Sequence, residues 1–229
     1  MSDNTPPFSP RREFLSHVAT AAAVIAGSTI PASLSAMSAR HAAAPFDDSW
    51  TARVKAARHR AVFDCPAVSD GLALQHAWFF IEGFKEQLDT ADGECIPVVV
   101  MRHEATVMAF NDALWEKYSI GEYRKVTDPR TKKDAVRNPF THIDKDEKNA
   151  LVTAQASFES LRAMGAVFLV CNKAAMRTAG VFAQKLGIDV ETVRNDIRNG
   201  LVPGAVLQPS GIYAVLRAQD VGCTFIKST

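Results

Sequence analysis

Five short runs of apolar and β-branched residues alternate along the chain with longer segments in which apolar residues recur at helical spacing. The runs predict strands over 61–65, 95–101, 166–170, 202–207 and 223–226. Strands that alternate with helices are typical of a mainly parallel sheet that is covered by helices on both faces. We therefore predict an α/β fold with three α/β/α layers and a mainly parallel five-stranded sheet.

The segments between these runs carry helix signals and one long interruption. A helix is expected from a cap at Ser69 or Asp70 to about Leu88. Further helices are expected over 105–118, 149–164, 189–200 and 210–219. Residues 121–148 break the pattern, because they are rich in Lys, Arg and Pro and show almost no apolar periodicity. This basic inserted loop is interpreted either as a lid or binding loop or as a solvated insertion.

The stretch 165–180 has the most specific local pattern. An apolar run ends abruptly at Cys171, Asn172 is expected to cap a helix over 173–179, and Gly180 is expected to end it. The pattern predicts a buried strand that places a thiol at the first turn of a helix. Backbone N–H groups at that position favour an anion, so they would stabilise a thiolate at Cys171.

Ligands of open parallel sheets bind beyond the carboxyl ends of the strands, so residues at those ends are the candidate site residues. Asp64 and Cys65 end the first predicted strand, His103 follows the second, and Cys171 ends the third. We predict that Cys171 and His103 act in catalysis and that Asn172, Cys65 and Asp64 contact the substrate. A buried structural cysteine and a hydrogen-bonded structural histidine remain the alternatives for the first two.

The other thiols suggest different roles. Cys95 and Cys223 begin their predicted strands, so they are expected at the opposite rim of the sheet as small buried hydrophobes. Cys65 and Cys171 could form a disulfide if their Cα atoms came within about 7 Å of each other. The four cysteines include no C-x-x-C pair, which disfavours a thiol–disulfide exchange protein.

The first 44 residues have the three-part plan of an export signal. Arg11 and Arg12 precede Phe14 and Leu15, a weakly apolar run of about ten residues follows, and small residues end the segment. The arginine pair resembles a twin-arginine (Tat) signal, which predicts a protein exported to the periplasm. The apolar run is too short to cross a bilayer, so no stable membrane span is expected. Residues 45–229 are predicted to form a single domain.

Charge and motifs exclude several function classes. The chain has 26 Lys and Arg against 25 Asp and Glu, and removing the first 44 residues leaves 23 of each. This balance points neither to nucleic acid nor to an anionic membrane. There is no G-x-G-x-x-G and no Walker loop, so no nucleotide cofactor is predicted, and no cofactor or bound metal is expected.

The C-terminal third resembles a known family. The residues that carry the resemblance are the runs 167–171, 174–177, 202–204 and 216–219 with Gly180, Ser210, Gly211 and Gly222, and 62–64 and 97–100 fit the first two strands. Together they resemble the DsrE/DsrF-like family of sulfur-relay proteins over roughly residues 60–227. The resemblance implies an α/β fold that assembles into trimers or hexamers, and a persulfide carried on the cysteine after the central strand. Cys171 stands at that position.

Three functions follow as expectations. In the first, Cys171 accepts sulfane sulfur and passes it to a partner, and the basic loop docks an anionic sulfur compound or a donor or acceptor protein. In the second, the chain is a non-catalytic periplasmic binding or assembly protein, in which Cys65, His103 and Cys171 bind a soft metal or are structural. The third is a thiol–disulfide protein that uses Cys65 and Cys171. Classical relay members are cytoplasmic, which sets this chain apart from them.

Overall fold

The computed structural model describes residues 46–229, so the predicted export signal lies outside the described residues. The strands are β1 (His59–Cys65), β2 (Cys95–Met101), β3 (Val167–Cys171), β4 (Ala205–Gln208) and β5 (Thr224–Lys227). The α-helices are α1 (Trp50–Ala56), α2 (Leu72–Leu88), α3 (Asp112–Lys117), α4 (Ile120–Arg124), α5 (Phe158–Ala163), α6 (Asn172–Leu186), α7 (Val190–Asn199) and α8 (Gly211–Asp220). Short 3₁₀ helices span Ser69–Gly71, His103–Ala109 and Ala154–Ala156.

The five strands form one sheet in the order β4-β3-β2-β1-β5, and all four neighbouring pairs are parallel. Strands β1 to β4 follow one another in one direction across the sheet, whereas β5 returns to lie beside β1. Because parallel crossovers are right-handed, the helices between β1 and β4 lie on one face and α8 lies on the other. The prediction of a three-layer α/β/α fold is confirmed.

Two hydrophobic clusters separate the faces. The larger cluster packs α2, α6 and α7 against strand residues such as Phe63 and Phe168. The smaller one packs α1 and α8 against Val62, Val98 and Leu169 on the other face. Strand residues alternate between the two clusters, and each of the three inner strands is buried on both sides. This explains why the inner strands appear in the sequence as continuous apolar runs.

The five predicted strands are all present, with shifts at their ends. The prediction 95–101 coincides with β2, whereas β4 starts only at Ala205 because Pro203 and Gly204 form a turn before it. In that turn the backbone N–H of Ala205 donates to the carbonyl of Val202 at 3.1 Å. Cys95 starts β2 and Cys223 directly precedes β5, so both lie at the amino-terminal rim, as predicted.

The helix after Cys171 differs from the prediction in both its cap and its end. Cys171 itself is the N-cap, Asn172 is the first helical residue, and the helix continues through Gly180 to Leu186. A glycine inside a helix costs about 1 kcal/mol. The buried face around Gly180, formed by Thr178, Ala179, Phe182 and Ala183, outweighs this cost. The helix ends instead at Gly187, which has φ 64° in the left-handed region.

Three other helix boundaries also differ from the prediction. The cap of α2 is Gly71, at φ 80°, rather than Ser69 or Asp70. The predicted helix 105–118 is a 3₁₀ helix followed by α3, with Asn111 as the cap between them. The predicted helix 149–164 is confined to a 3₁₀ turn and α5, which begins after Ser157.

The basic segment 121–148 is packed against the domain rather than solvated along its length. Its Phe140 is fully buried and meets the ring of Trp115 edge to face at 6.3 Å between centroids. The side-chain amide of Asn138 donates to the carbonyls of Met108 and Phe110, both at 2.7 Å. These contacts fix the segment beside the carboxyl ends of the strands. Within residues 46–229, no helix is both long and apolar enough to cross a membrane.

Candidate functional site

Cys171 is the last residue of β3 and directly precedes α6. Its Sγ accepts a hydrogen bond from the backbone N–H of Ala174 at 3.4 Å, so the sulfur caps the helix N-terminus. The residue is only 7% exposed, yet it lines a cavity of about 190 Å³. A backbone N–H and the positive end of the helix dipole therefore both face the sulfur.

The strand order explains why a cavity forms here. After β3 the chain turns to α6 on one face, and after the neighbouring β4 it turns to α8 on the other. Such a divergence leaves a crevice at the carboxyl ends of the two strands. The first residues of α8 form the opposite wall, beginning with Ser210, whose Oγ accepts the backbone N–H of Tyr213 at 3.1 Å. The thiol therefore lies at the topological switch point of the sheet.

The cavity beside the thiol is lined by cationic side chains. Lys173 and Arg177, one turn apart on α6, are both exposed and line it together with Arg102. Neither Lys173 nor Arg177 forms an ion pair with any residue in the described range 46–229. An anionic ligand would find two uncompensated positive charges at the mouth of the cavity.

Arg102 is held rigidly by Asp64. Its Nε and Nη2 donate to the two carboxylate oxygens of Asp64 at 2.6 and 2.8 Å, a bidentate pair in which Asp64 is 6% exposed. The hydrogen bond to Asp64 is the main reason that the pKa of Arg102 is raised, and a negative charge on Cys171 acts in the same direction. Arg102 also packs closely against the backbone at Gly211. A Cβ at position 211 would lie only 2.5 Å from the Cβ of Arg102, so a glycine is needed there.

His103 lies at the edge of the same cavity in an uncommon backbone conformation. It is exposed, its φ is 49°, and it begins the 3₁₀ helix that follows β2. A left-handed histidine is uncommon and costs conformational energy, so local structure must hold it in place. Here the backbone N–H groups of Glu104 and Ala105 both donate to the carbonyl of Pro66, which anchors the turn. The backbone of His103 is thereby held at the rim.

A second cavity of about 480 Å³ continues from the first. The two share His103, Ala174 and Arg177, so these residues form the boundary between them. The second cavity extends to Tyr123 and Arg124 of α4 and to Glu104. The thiol therefore opens onto a two-part cleft rather than onto flat surface.

The remaining predicted site residues have different environments. Cys65 belongs to the core beneath the rim, where its thiol donates to the carbonyl of Ala67 at 3.2 Å. Burial raises the pKa of Cys65 to about 12, and the charge of Asp64 adds to the effect. Asn172 lines a separate cavity, with Leu207 and Arg198 among its neighbours. Of the five predicted residues, the structure thus brings Cys171 and His103 together, and Asp64 reaches the cavity through Arg102.

The alternatives based on paired thiols or a metal find no geometric support. None of the four cysteines is in a disulfide. Cys65 and Cys171 end strands that are separated by β2. Two strand spacings of about 4.8 Å place them beyond the Cα separation of about 7 Å that a disulfide allows. Within residues 46–229, no group of three or more His, Cys, Asp or Glu is arranged to hold a metal ion.

Several residues of the cleft are absent from the sequence-based candidates. Arg102 directly follows β2 and precedes His103, so its place at a strand end was an available signal. Lys173 and Arg177 follow Cys171 at helical spacing, but only the strand order shows that their side chains border a crevice. Arg124 belongs to the segment 121–148, whose position at the second cavity no local pattern indicates.

Comparisons with known proteins leave the function open. The chain matches no known protein family and no curated protein. Among solved structures it is similar to the protein of unknown function MTH1491 from Methanobacterium thermoautotrophicum, at 14% identity and a TM-score of 0.36. The alignment covers 74% of this chain and 98% of that protein. This similarity does not indicate a function, so the function is inferred from the chemistry of the site itself.

Proposed function

We propose that this protein handles sulfane sulfur through a persulfide on Cys171. The observation that carries the proposal is the environment of this thiol: a helix N-cap with an N–H donor at 3.4 Å, opening onto a cavity lined by Arg102, Lys173 and Arg177. A persulfide carrier needs a nucleophilic thiolate and a place for an anionic sulfur chain. The resemblance to the DsrE/DsrF-like family supports the same chemistry.

The proposed reaction is a redox-neutral transfer in two steps. The Cys171 thiolate attacks a sulfane sulfur of a polysulfide, a new S–S bond forms to Cys171, and the shortened polysulfide leaves with its electron pair. An acceptor thiolate then attacks the outer sulfur of the persulfide, which breaks the S–S bond and restores the Cys171 thiolate. Arg102 and the Ala174 N–H stabilise the anionic sulfur, and His103 donates a hydrogen bond to the leaving sulfur.

The proposal extends to location and assembly. The Tat-like segment at 1–44 supports export to the periplasm, and the family resemblance supports a trimer or hexamer. Exposed apolar side chains on α8 and β5, namely Ile212, Leu216 and Phe225, fit such an assembly. Partners are a small anionic sulfur compound or a protein that donates or accepts sulfur.

Cyanolysis tests the proposed function directly. Purified protein is incubated with polysulfide, desalted and treated with cyanide, which releases bound sulfane sulfur as thiocyanate. We expect about one sulfane sulfur per chain in the wild type and almost none in Cys171→Ala. Cys95→Ala and Cys223→Ala are matched controls, because these thiols lie at the opposite rim, and both should load like the wild type.

A signal that survives Cys171→Ala unchanged, or no loading of the wild type, would overturn the proposal. In the second case the non-catalytic binding or assembly protein becomes the better interpretation. Thermal unfolding of each variant is measured in parallel, so that loss of loading is not confused with loss of the fold.

A further inference from the structure

The larger of the two cavities contains an arginine with unused hydrogen-bond donors. Sulfur transfer to Cys171 does not itself require this cavity. The side chain of Arg124 is only 14% exposed, and it lines the cavity of about 480 Å³. Its Nε is buried and has no hydrogen-bond partner. A guanidinium carries five N–H donors, and leaving such donors unpaired away from water is costly. The Arg124 guanidinium therefore borders the cavity with hydrogen-bond donors that no residue within 46–229 accepts.

The contacts around Arg124 hold its position without satisfying its charge. The guanidinium lies over the ring of Tyr123, with 4.3 Å from its carbon to the ring centroid. Glu104 is its one ion-pair partner within residues 46–229, at 3.8 Å and with a side chain that is 65% exposed. That distance is too long for a hydrogen bond. The guanidinium of Arg124 is thus held over an aromatic ring and remains available to a planar anion such as a carboxylate.

The position of Arg124 relative to the thiol suggests an elongated ligand. The two cavities meet at His103, Ala174 and Arg177, with Cys171 in the smaller and Arg124 in the larger. The larger cavity alone is within the size range of small-molecule sites. An inorganic polysulfide needs only the cavity around Cys171, whereas the second cavity adds room for an organic group that ends in an anion.

We infer that the cleft selects a low-molecular-weight organic persulfide with a carboxylate, whose sulfur end reaches Cys171 and whose carboxylate pairs with Arg124. The inference rests on the proposed function. The Cys171 thiolate attacks the outer sulfur of R–S–S–H, an S–S bond forms to Cys171, and the donor's S–S bond breaks. R–S⁻ leaves and takes up a proton from water, so atoms and electrons balance without an added oxidant. Tyr123 and Val181 contact the carbon chain of the donor.

The test compares donors of similar size that differ in charge. Single-turnover loading of Cys171 is measured with the persulfide of 3-mercaptopropionate, with that of 2-mercaptoethanol, and with inorganic polysulfide. In Arg124→Gln we expect the efficiency with the carboxylated donor to fall about tenfold or more, since a charge-assisted bidentate pair is lost. Loading by the neutral donor and by polysulfide should stay unchanged.

Three further variants sharpen the test. Glu104→Gln removes the competing carboxylate and should raise the efficiency with the carboxylated donor alone. Arg124→Lys keeps the charge but loses the fork, so an intermediate effect is expected. Arg130→Gln is the matched control, because this arginine of the same segment pairs with Asp128 at 3.0 Å and lines a different cavity.

The outcomes separate the two proposals. Suppose that polysulfide loads Cys171 and that both organic donors load Arg124→Gln as efficiently as the wild type. The inference is then overturned and the proposed function stands. If no donor loads Cys171 in the wild type, the proposed function fails first. Equal loss with all three donors would assign Arg124 a structural role and would also overturn the inference.

Discussion

At the scale of single residues, two cysteines at the same rim of the sheet have opposite environments. Cys171 accepts a backbone N–H and lines a cationic cavity, whereas Cys65 donates its thiol proton to a carbonyl oxygen inside the core. A thiol that donates is held in its protonated form, and burial raises the pKa of Cys65 to about 12. Residue type and position at a strand end do not distinguish the two, but their hydrogen bonds do.

This difference predicts selective alkylation. With iodoacetamide between pH 7 and 9 we expect Cys171 to be modified first and Cys65 to stay unmodified, because Cys65 forms its thiolate only near its raised pKa of about 12. Peptide mass spectrometry after timed quenching measures both sites. The chain unfolded in guanidinium is the control, in which both thiols should react alike. Equal labelling of the two sites in the folded protein would contradict the assignment.

At the scale of elements, two caps that rely on oxygen side chains were predicted, whereas the oxygen caps Asn111 and Ser157 were missed because they interrupt segments that look continuously helical. Asp189 and Ser210 begin α7 and α8 as the sequence predicts. Cys171 was missed as the cap of α6 because a sulfur is a weak acceptor and the adjacent Asn172 is a far more common cap residue. Gly180 was misinterpreted as a stop because helix propensity alone does not include the burial of Phe182 beside it.

Helices α3 and α7 are tied together by one carboxylate. Asp196 of α7 accepts hydrogen bonds from Lys117 Nζ at 2.6 Å and from the hydroxyl of Tyr118. These two donors lower the pKa of Asp196, with Lys117 the larger cause. The aromatic ring of Tyr118 stacks on Phe182, so the tie also contacts the buried face of α6.

Removing this carboxylate should destabilise the protein in a pH-dependent way. Asp196→Asn is expected to lower the melting temperature at pH 7 by about 3 °C, the shift that ~1 kcal/mol produces in a domain of this size. Because the folded state lowers the pKa of Asp196, its contribution is complete above the unfolded value of about 4 and is lost as the pH falls below it. Thermal unfolding at several pH values measures the difference.

Glu191→Gln on the same helix serves as the control for that experiment. Glu191 pairs with Arg194 one turn away on an exposed surface, so its removal should change the melting temperature little. The difference in melting temperature between the wild type and Asp196→Asn should shrink at acid pH. If it persists undiminished, the role of the ionised carboxylate is contradicted.

At the scale of the whole molecule, the strand order was the main information that the sequence lacked. Alternating patterns predict how many strands there are and that they are mainly parallel, but not that β5 returns beside β1. That return places α8 on the face opposite α6 and opens the crevice beside Cys171. Lys173, Arg177 and Ser210 become site residues only through this arrangement, which is why local sequence reasoning identified the thiol but not its cationic surroundings.

The proposed assembly makes its own prediction. Leu216 and Ile212, one turn apart on α8, are 57% and 60% exposed, an apolar pair suited to a contact between copies of the chain. We expect the wild type to elute as an oligomer in light-scattering chromatography and Leu216→Glu to shift it toward the monomer. Leu186→Glu, at an exposed leucine near the end of α6, should leave the mass unchanged. A monomeric wild type would contradict the proposed assembly.

Because Cys171 is recessed, only reactants of a suitable shape can reach its sulfur. A sulfur–sulfur bond brings the two atoms to about 2 Å and the two Cβ atoms to about 4 Å. With 7% of the residue exposed, a cysteine on the flat surface of another protein cannot approach so closely. We therefore expect that two copies of this chain do not cross-link through Cys171. If the proposed function holds, we expect its acceptor to be a small thiol or a cysteine at the tip of an extended segment thin enough to enter the cleft.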